Sequence, residues 1–107
     1  MLKLVPMPIN LRMAMGYTAE FEQAVLYYFE KSPSLAAIFY AEVECGIEGI
    51  VKNPLLYRKI DEDVRRCLTK RFPYGILYTI EDHYILILAV MHCSREPFYW
   101  KNRRAEK

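Results

Sequence analysis

Glycine is scarce in this chain: four residues, at positions 16, 46, 49 and 75, stand too far apart to form a loop that cradles phosphate. Cysteine is scarcer. Cys45, Cys67 and Cys93 are odd in number and never spaced C-x-x-C. This excludes a secreted disulfide framework and points to reduced thiols in a cytoplasm. The only histidines are His83 and His92, with no further metal ligands at site spacing. No G-x-S-x-G elbow is present, and no motif implies a cofactor. The longest apolar run, Tyr84–Met91, falls far short of the roughly 20 residues of a membrane helix. Near the start, Pro6, Pro8, Asn10 and Arg12 break the smooth stretch that a signal peptide would need. The expectation is a cytoplasmic protein with no membrane association.

What is present argues for a folded core. The 107 residues are 53% hydrophobic and 14% aromatic, enough for one domain that buries roughly 60–70% of its unfolded surface without staples. A single domain over residues 1–107 is expected. Charge is uneven along it. Residues 1–57 carry four Lys/Arg against six Asp/Glu, and residues 58–107 carry eleven against seven. A basic second half suits an anionic partner, although ordinary solvated charge accounts for such a surplus equally well.

The patterning predicts a helix over Thr18–Lys31, capped by Thr18, with Glu20 at its positive end and Phe21, Ala24, Val25 and Tyr28 on one face. Pro33 suits the first turn of a second helix. That helix runs to about Lys52, with Ala36, Phe39, Tyr40, Val43, Ile47 and Ile50 aligned, and Asn53-Pro54 stops it. The short break between the two implies an antiparallel hairpin, and each apolar stripe needs a sheet to cover it. Strands are expected at Val64–Phe72, with Val64, Leu68 and Phe72 on one face, and at Ile76–Ile80 after a Pro73–Gly75 turn. Tyr84–Met91, apolar on both faces, reads as a central strand. Ile9–Met15 is a weaker first strand, its alternation being poor. The fold class is α+β: an N-terminal helical hairpin packed on a small, mostly antiparallel sheet, with a basic C-terminal tail.

That tail, "MHCSREPFYWKNRR", gathers the chemistry. His92 follows the central strand, where an imidazole could shuttle a proton or simply hold a hydrogen bond. Arg95, with Arg65 and Arg66 on the first expected strand, has the planar guanidinium that suits phosphate, or pairs with neighbours such as Glu96 or Asp63. Lys70, Arg71, Arg103 and Arg104 extend the basic set. Pro97, Phe98, Tyr99 and Trp100 could stack on bases or fold back to plug the core.

In their order and spacing, "YYFEKSPSLAAIF", "VRRCLTKRFPYGILY" and "LAVMHCSREPFYW" resemble the RelE/ParE superfamily of bacterial toxins, over about Glu20 to Arg103. The resemblance implies a toxin of a type II toxin–antitoxin pair, associated with plasmid stabilisation and growth inhibition. It also implies a cognate antitoxin whose flexible segment folds as it wraps the toxin. RelE-like members cleave messenger RNA on the ribosome, using basic residues on the sheet and an aromatic or histidine acid/base near the C-terminus. ParE-like members inhibit DNA gyrase without chemistry. The match here is mixed. Arg95 falls where the nucleases place an arginine after their last strand, and His92 could serve as acid/base. Gly75, following Tyr74, stands where those nucleases carry another arginine. Lys70 and Arg71 sit late on the strand that should carry paired lysines. His92 followed by Glu96 is similar to the ParE branch, which usually has aspartate. The balance leans to a gyrase inhibitor over a nuclease with His92 and Arg95 as its catalytic pair.

Overall fold

The computed structural model describes residues 10–95 and 98–103. Glu96, Pro97 and Arg104 therefore lie outside the described residues, as does Ile9 of the expected first strand. Two helices, set between the first strand and the other four, cover one face of a mixed five-stranded sheet. Strand β1 (Asn10–Met13) leads into α1 (Tyr17–Lys31) and α2 (Pro33–Lys52). The strands β2 (Arg58–Asp61), β3 (Val64–Leu68), β4 (Tyr74–Ile80) and β5 (Tyr84–His92) follow, and a short 3-10 turn at Lys101–Arg103 comes last. The sheet order is β1-β5-β4-β3-β2, antiparallel throughout except where β1 runs parallel to β5.

The helical hairpin forms as its sequence dictates. Ser32 caps α2 by accepting the Leu35 N–H at 3.4 Å, and Pro33 takes the first turn. α1 differs from expectation: its cap is Gly16, not Thr18, and no side chain bonds the free N–H groups. Gly16 has φ +92°, a left-handed conformation that only glycine adopts without strain. From α1 and α2 the buried residues Phe21, Ala24, Tyr28, Phe39, Val43, Ile47 and Ile50 pack onto Ile76, Tyr78, Ile85, Ile87 and Val90 of the sheet. Tyr40, expected on that stripe, stays half exposed with its ring against Phe21.

The opposite face of the sheet has its own core of Val64, Leu77, Leu86, Leu88, Ala89 and Met91, closed by Trp100, which is 2% exposed. Although Phe98 stays exposed, Trp100, with Tyr99 packed beside it, thus plugs the molecule on the side away from the helices. This explains why β5 is apolar on both faces.

Two strand expectations are corrected. β3 ends at Leu68, and the turn runs from Thr69 to Pro73, so Tyr74 and Gly75 already belong to β4. Val64, Leu68 and Phe72 do not share a buried face: Val64 faces the Trp100 side, Leu68 is exposed, and Phe72 packs beside Tyr28 and Phe39. The turn breaks the two-residue period between them. β2 is an addition to the expected strands: a four-residue edge strand reading Arg-Lys-Ile-Asp has no apolar alternation.

Candidate functional site

β5 ends at His92 and the chain turns sharply. Arg95 N–H bonds the His92 carbonyl at 2.9 Å, and the His92 ring stands edge-on to Tyr74 with centroids 5.1 Å apart. His92 Nδ1 accepts the Ser94 backbone N–H at 3.1 Å and lies 2.7 Å from the Ser94 hydroxyl. An acceptor role for Nδ1 places the imidazole proton on Nε2. Between this turn and α1 lies an open groove of about 520 Å³ whose walls include Tyr27, Tyr74, His92 and Arg95.

The floor of that groove is organised by a carboxylate. Glu20 Oε1 accepts the Val90 backbone N–H at 3.1 Å and the Arg103 guanidinium at 2.9 Å. Its Oε2 accepts the Tyr99 hydroxyl and lies 3.5 Å from Arg95 Nη1. Arg103 also donates to the Leu88 carbonyl at 3.1 Å. The Tyr99 ring is flanked by two guanidinium groups, Arg95 at 3.9 Å and Arg103 at 5.1 Å from its centroid. Burial, reinforced by the bond to the Glu20 carboxylate, drives the Tyr99 phenol well above its ordinary pKa.

The position of this cluster follows from β-sheet geometry. β1 pairs with β5 only as far as Ile87, where the Ala14 N–H bonds the Ile87 carbonyl. The β4–β5 register then slips, so that Leu77 opposes Ala89 and Tyr78 opposes Ile87, leaving Leu88 as an extra residue. The backbone groups freed beyond Ile87 are those that Arg103 and Glu20 satisfy.

The remaining basic residues are dispersed. Arg65 donates to the Tyr57 carbonyl at 2.7 Å and to the Leu55 carbonyl at 3.3 Å, tying down the segment before β2. Arg66 opposes Leu77 in the ladder, and His92 opposes Tyr74. Those partners stand three positions apart along β4, which is about 10 Å and an odd step, so Arg66 and His92 lie on opposite faces. The Arg66 stem lies over Gly75, its Cδ 2.9 Å from where a β-carbon would stand. Arg71 Nε bonds Glu42 Oε2 at 2.6 Å, and the Lys70 and Arg71 backbone N–H groups both bond Oε1 at 3.0 Å. Burial alone would raise the Glu42 carboxyl, but these three donors and the arginine charge hold it below its ordinary value. His83 is exposed in the β4–β5 turn, at the far end of that hairpin from His92.

Of the residues singled out in the sequence, the fold brings His92, Arg95 and Arg103 together and leaves Arg65, Arg66, Lys70 and Arg71 elsewhere. It adds two that sequence reasoning missed as site residues, Glu20 and Tyr99. Glu20 carried a signal: it adjoins Phe21 at the start of α1, at the margin of the buried stripe. Among the described residues no cluster of three His, Cys, Asp or Glu could hold a metal ion, and no helix is long and apolar enough to cross a membrane.

A family model for the ParE toxin of type II toxin–antitoxin systems, parDE, matches residues 14–97. The chain belongs to the ParE toxin family. It is similar in fold to a chain of a chromosomal ParDE TA system from P. aeruginosa, with a TM-score of 0.69 at 17% identity, covering 78% of this chain and 95% of that one. No curated protein matches the sequence. Membership of the ParE family implies a cognate antitoxin as partner. The Glu20 cluster straddles the match: Glu20, Val90 and Arg95 fall inside residues 14–97, whereas Tyr99 and Arg103 follow them.

Proposed function

We propose that this ParE-family protein arrests bacterial growth by binding a protein target, DNA gyrase, without covalent chemistry, and that its antitoxin neutralises it in the cytoplasm. The observation that carries this reading is the engagement of Arg95 and Arg103 by Glu20. A phosphodiester-cleaving site needs cations aimed at the scissile phosphate together with a proton donor or acceptor. Here Arg95 lies between Tyr99 and a carboxylate, Arg65 holds main-chain carbonyls, and Arg66 lies across the sheet from His92. Gly75, where nuclease relatives would carry an arginine, instead makes room for the Arg66 stem.

The second reading, a ribosome-dependent mRNA endonuclease, draws on one observation. His92, Arg95 and two tyrosines line a single groove, where an imidazole beside a guanidinium has the group types of an acid/base site. Two measurements separate the readings. Purified protein should block supercoiling by gyrase in vitro. Primer extension on cellular mRNAs, after induction without antitoxin, should reveal no new 5′ ends inside translated codons. New ends lost in both His92→Ala and Arg95→Ala would overturn the gyrase reading and make the groove an active site.

A further inference from the structure

Two of the three cysteines share one cleft. Cys45 stands exposed on α2 and Cys67 is buried on β3, and both line a cavity of about 750 Å³ between that helix and strand. Cys93 lies apart, exposed in the turn after β5. The Cys67 sulfur reaches the helix at the residue that follows Cys45. It lies 4.0 Å from the Gly46 carbonyl oxygen, and a β-carbon at Gly46 would stand 3.5 Å from it. Such a β-carbon would also come 2.6 Å from Ile76 Cδ1, so a bare residue is what lets the strand's sulfur lie against the helix. Position 46 thus adds no side chain to the space beside Cys67.

A third group completes the set. Tyr57 lines the same cleft, and its hydroxyl is a hydrogen-bond partner of the Cys67 sulfur. Burial is the first cause that pushes the Cys67 thiol above its ordinary 9.0; the Tyr57 hydroxyl opposes the rise, and negative charge on Cys45 adds to it. Charge on Cys45 raises the Tyr57 phenol as well. The three groups are therefore within electrostatic reach of one another. An exposed thiol meets oxidant first, and a buried one beside it, with a hydroxyl that favours its thiolate, is placed to resolve the product.

We propose that Cys45 and Cys67 form a redox pair, oxidised by hydrogen peroxide to a disulfide that ties α2 to β3 across the cleft. The Cys45 thiolate attacks one oxygen of the peroxide. The O–O bond breaks, and the second oxygen leaves as water with the proton that the thiol gave up. Cys45 is then a sulfenic acid. The Cys67 sulfur attacks the Cys45 sulfur, the S–O bond breaks, and the hydroxyl leaves as a second water with the Cys67 proton. Two thiols have lost two electrons, and one peroxide has become two waters. Cytoplasmic disulfides of this kind are transient and are reversed by thiol exchange. The bond closes the loop from Cys45 to Cys67, so oxidation holds the helical hairpin on the sheet against unfolding. The pairing is independent of the toxin's target and of its antitoxin.

The test uses the full chain carrying Cys93→Ser, reduced and then exposed to hydrogen peroxide. Its intact mass should fall by two hydrogens with no dimer formed, and a non-reducing peptide map should join Cys45 to Cys67. The thermal midpoint, followed by Trp100 emission, should rise by about 5 °C or more on oxidation and return with dithiothreitol. Cys45→Ser in the same background should show neither change, its buried Cys67 staying a thiol. Cys67→Ala should leave Cys45 as a sulfenic acid that dimedone captures. If that variant fails to fold, Cys45→Ser and the peptide map still decide. A Cys45 sulfinic acid beside a free Cys67, a disulfide joining Cys45 of two chains, or thiols that survive excess peroxide each overturn the pair. A disulfide that leaves the midpoint unmoved overturns the hold on the hairpin.

Discussion

Glu20 and Arg103 meet at 2.9 Å across a sequence separation of 83 and together stand in for a missing strand. One takes the Val90 N–H and the other gives to the Leu88 carbonyl, completing the edge of β5 that β1 leaves open after Ile87. A bare edge there would invite pairing with other chains. The same two side chains fasten the tail to α1.

Removing the carboxylate should therefore cost more than one ion pair. Glu20 is 12% exposed and Arg103 17%, so Glu20→Ala leaves a largely buried guanidinium, a phenol and a backbone N–H without their acceptor. A loss of roughly 2–4 kcal/mol in urea unfolding is expected. Glu20→Gln, which keeps one acceptor oxygen, should lose less.

The tail should also report on itself. Trp100 is the single tryptophan and is 2% exposed among Leu77, Leu88 and Met91. Trp100→Ala should cost about 3–5 kcal/mol. In the wild type, tryptophan emission should stay blue-shifted until the tail detaches, and Glu20→Ala should bring the red shift to lower urea.

His92 and Arg95 are the residues on which the two functional readings part. With no covalent step, His92→Ala should keep its toxicity in an induced host and lose only about 1 kcal/mol, the worth of its bond to Ser94. Loss of toxicity in a His92→Ala protein of full stability would assign it a chemical role.

High pH should unfold the protein through its tyrosines. Burial is the first cause in each case, and it pushes Tyr17, Tyr74 and Tyr78 up to about 12 from an ordinary 10.0. A folded-state pKa above the unfolded one means a contribution fully present below pH 10 and lost as pH rises from there to about 12. Stability should fall across that window. The phenolate absorbance of these three residues should appear together with unfolding rather than before it.

Acid should act on the turn after β3. The Glu42 carboxyl is held below its ordinary 4.5, so its contribution is present above that pH and is lost as pH falls through the lower, folded value. Glu42→Gln should flatten the acid limb of the stability curve and speed amide exchange at Lys70 and Arg71.

Much of this architecture is legible in the sequence, because helical spacing and proline placement mark both helices and the unbroken apolar run marks β5. β2 was illegible for the opposite reason: a short charged edge strand owes its place to register with β3 rather than to its own pattern. The candidate site was half legible. His92 and Arg95 stand out by type, but their neighbour Glu20 lies on α1, and only the tertiary fold brings it to the tail. A basic sequence also does not disclose what its cations are for. Arg65 and Arg71 read as a nucleic-acid patch, yet in the fold one bonds main-chain carbonyls and the other a carboxylate.

The parallel pairing of β1 with β5 sets a timetable. Asn10 finds its partner only at Tyr84, so neither the sheet nor the Glu20 fastening can close while β5 and the tail are still being synthesised. The helical hairpin, whose contacts are local, can form early; the strands must wait. The fold that carries the Glu20 fastening thus exists only once residues through Arg103 have been made, and until then a translating ribosome carries an incomplete protein.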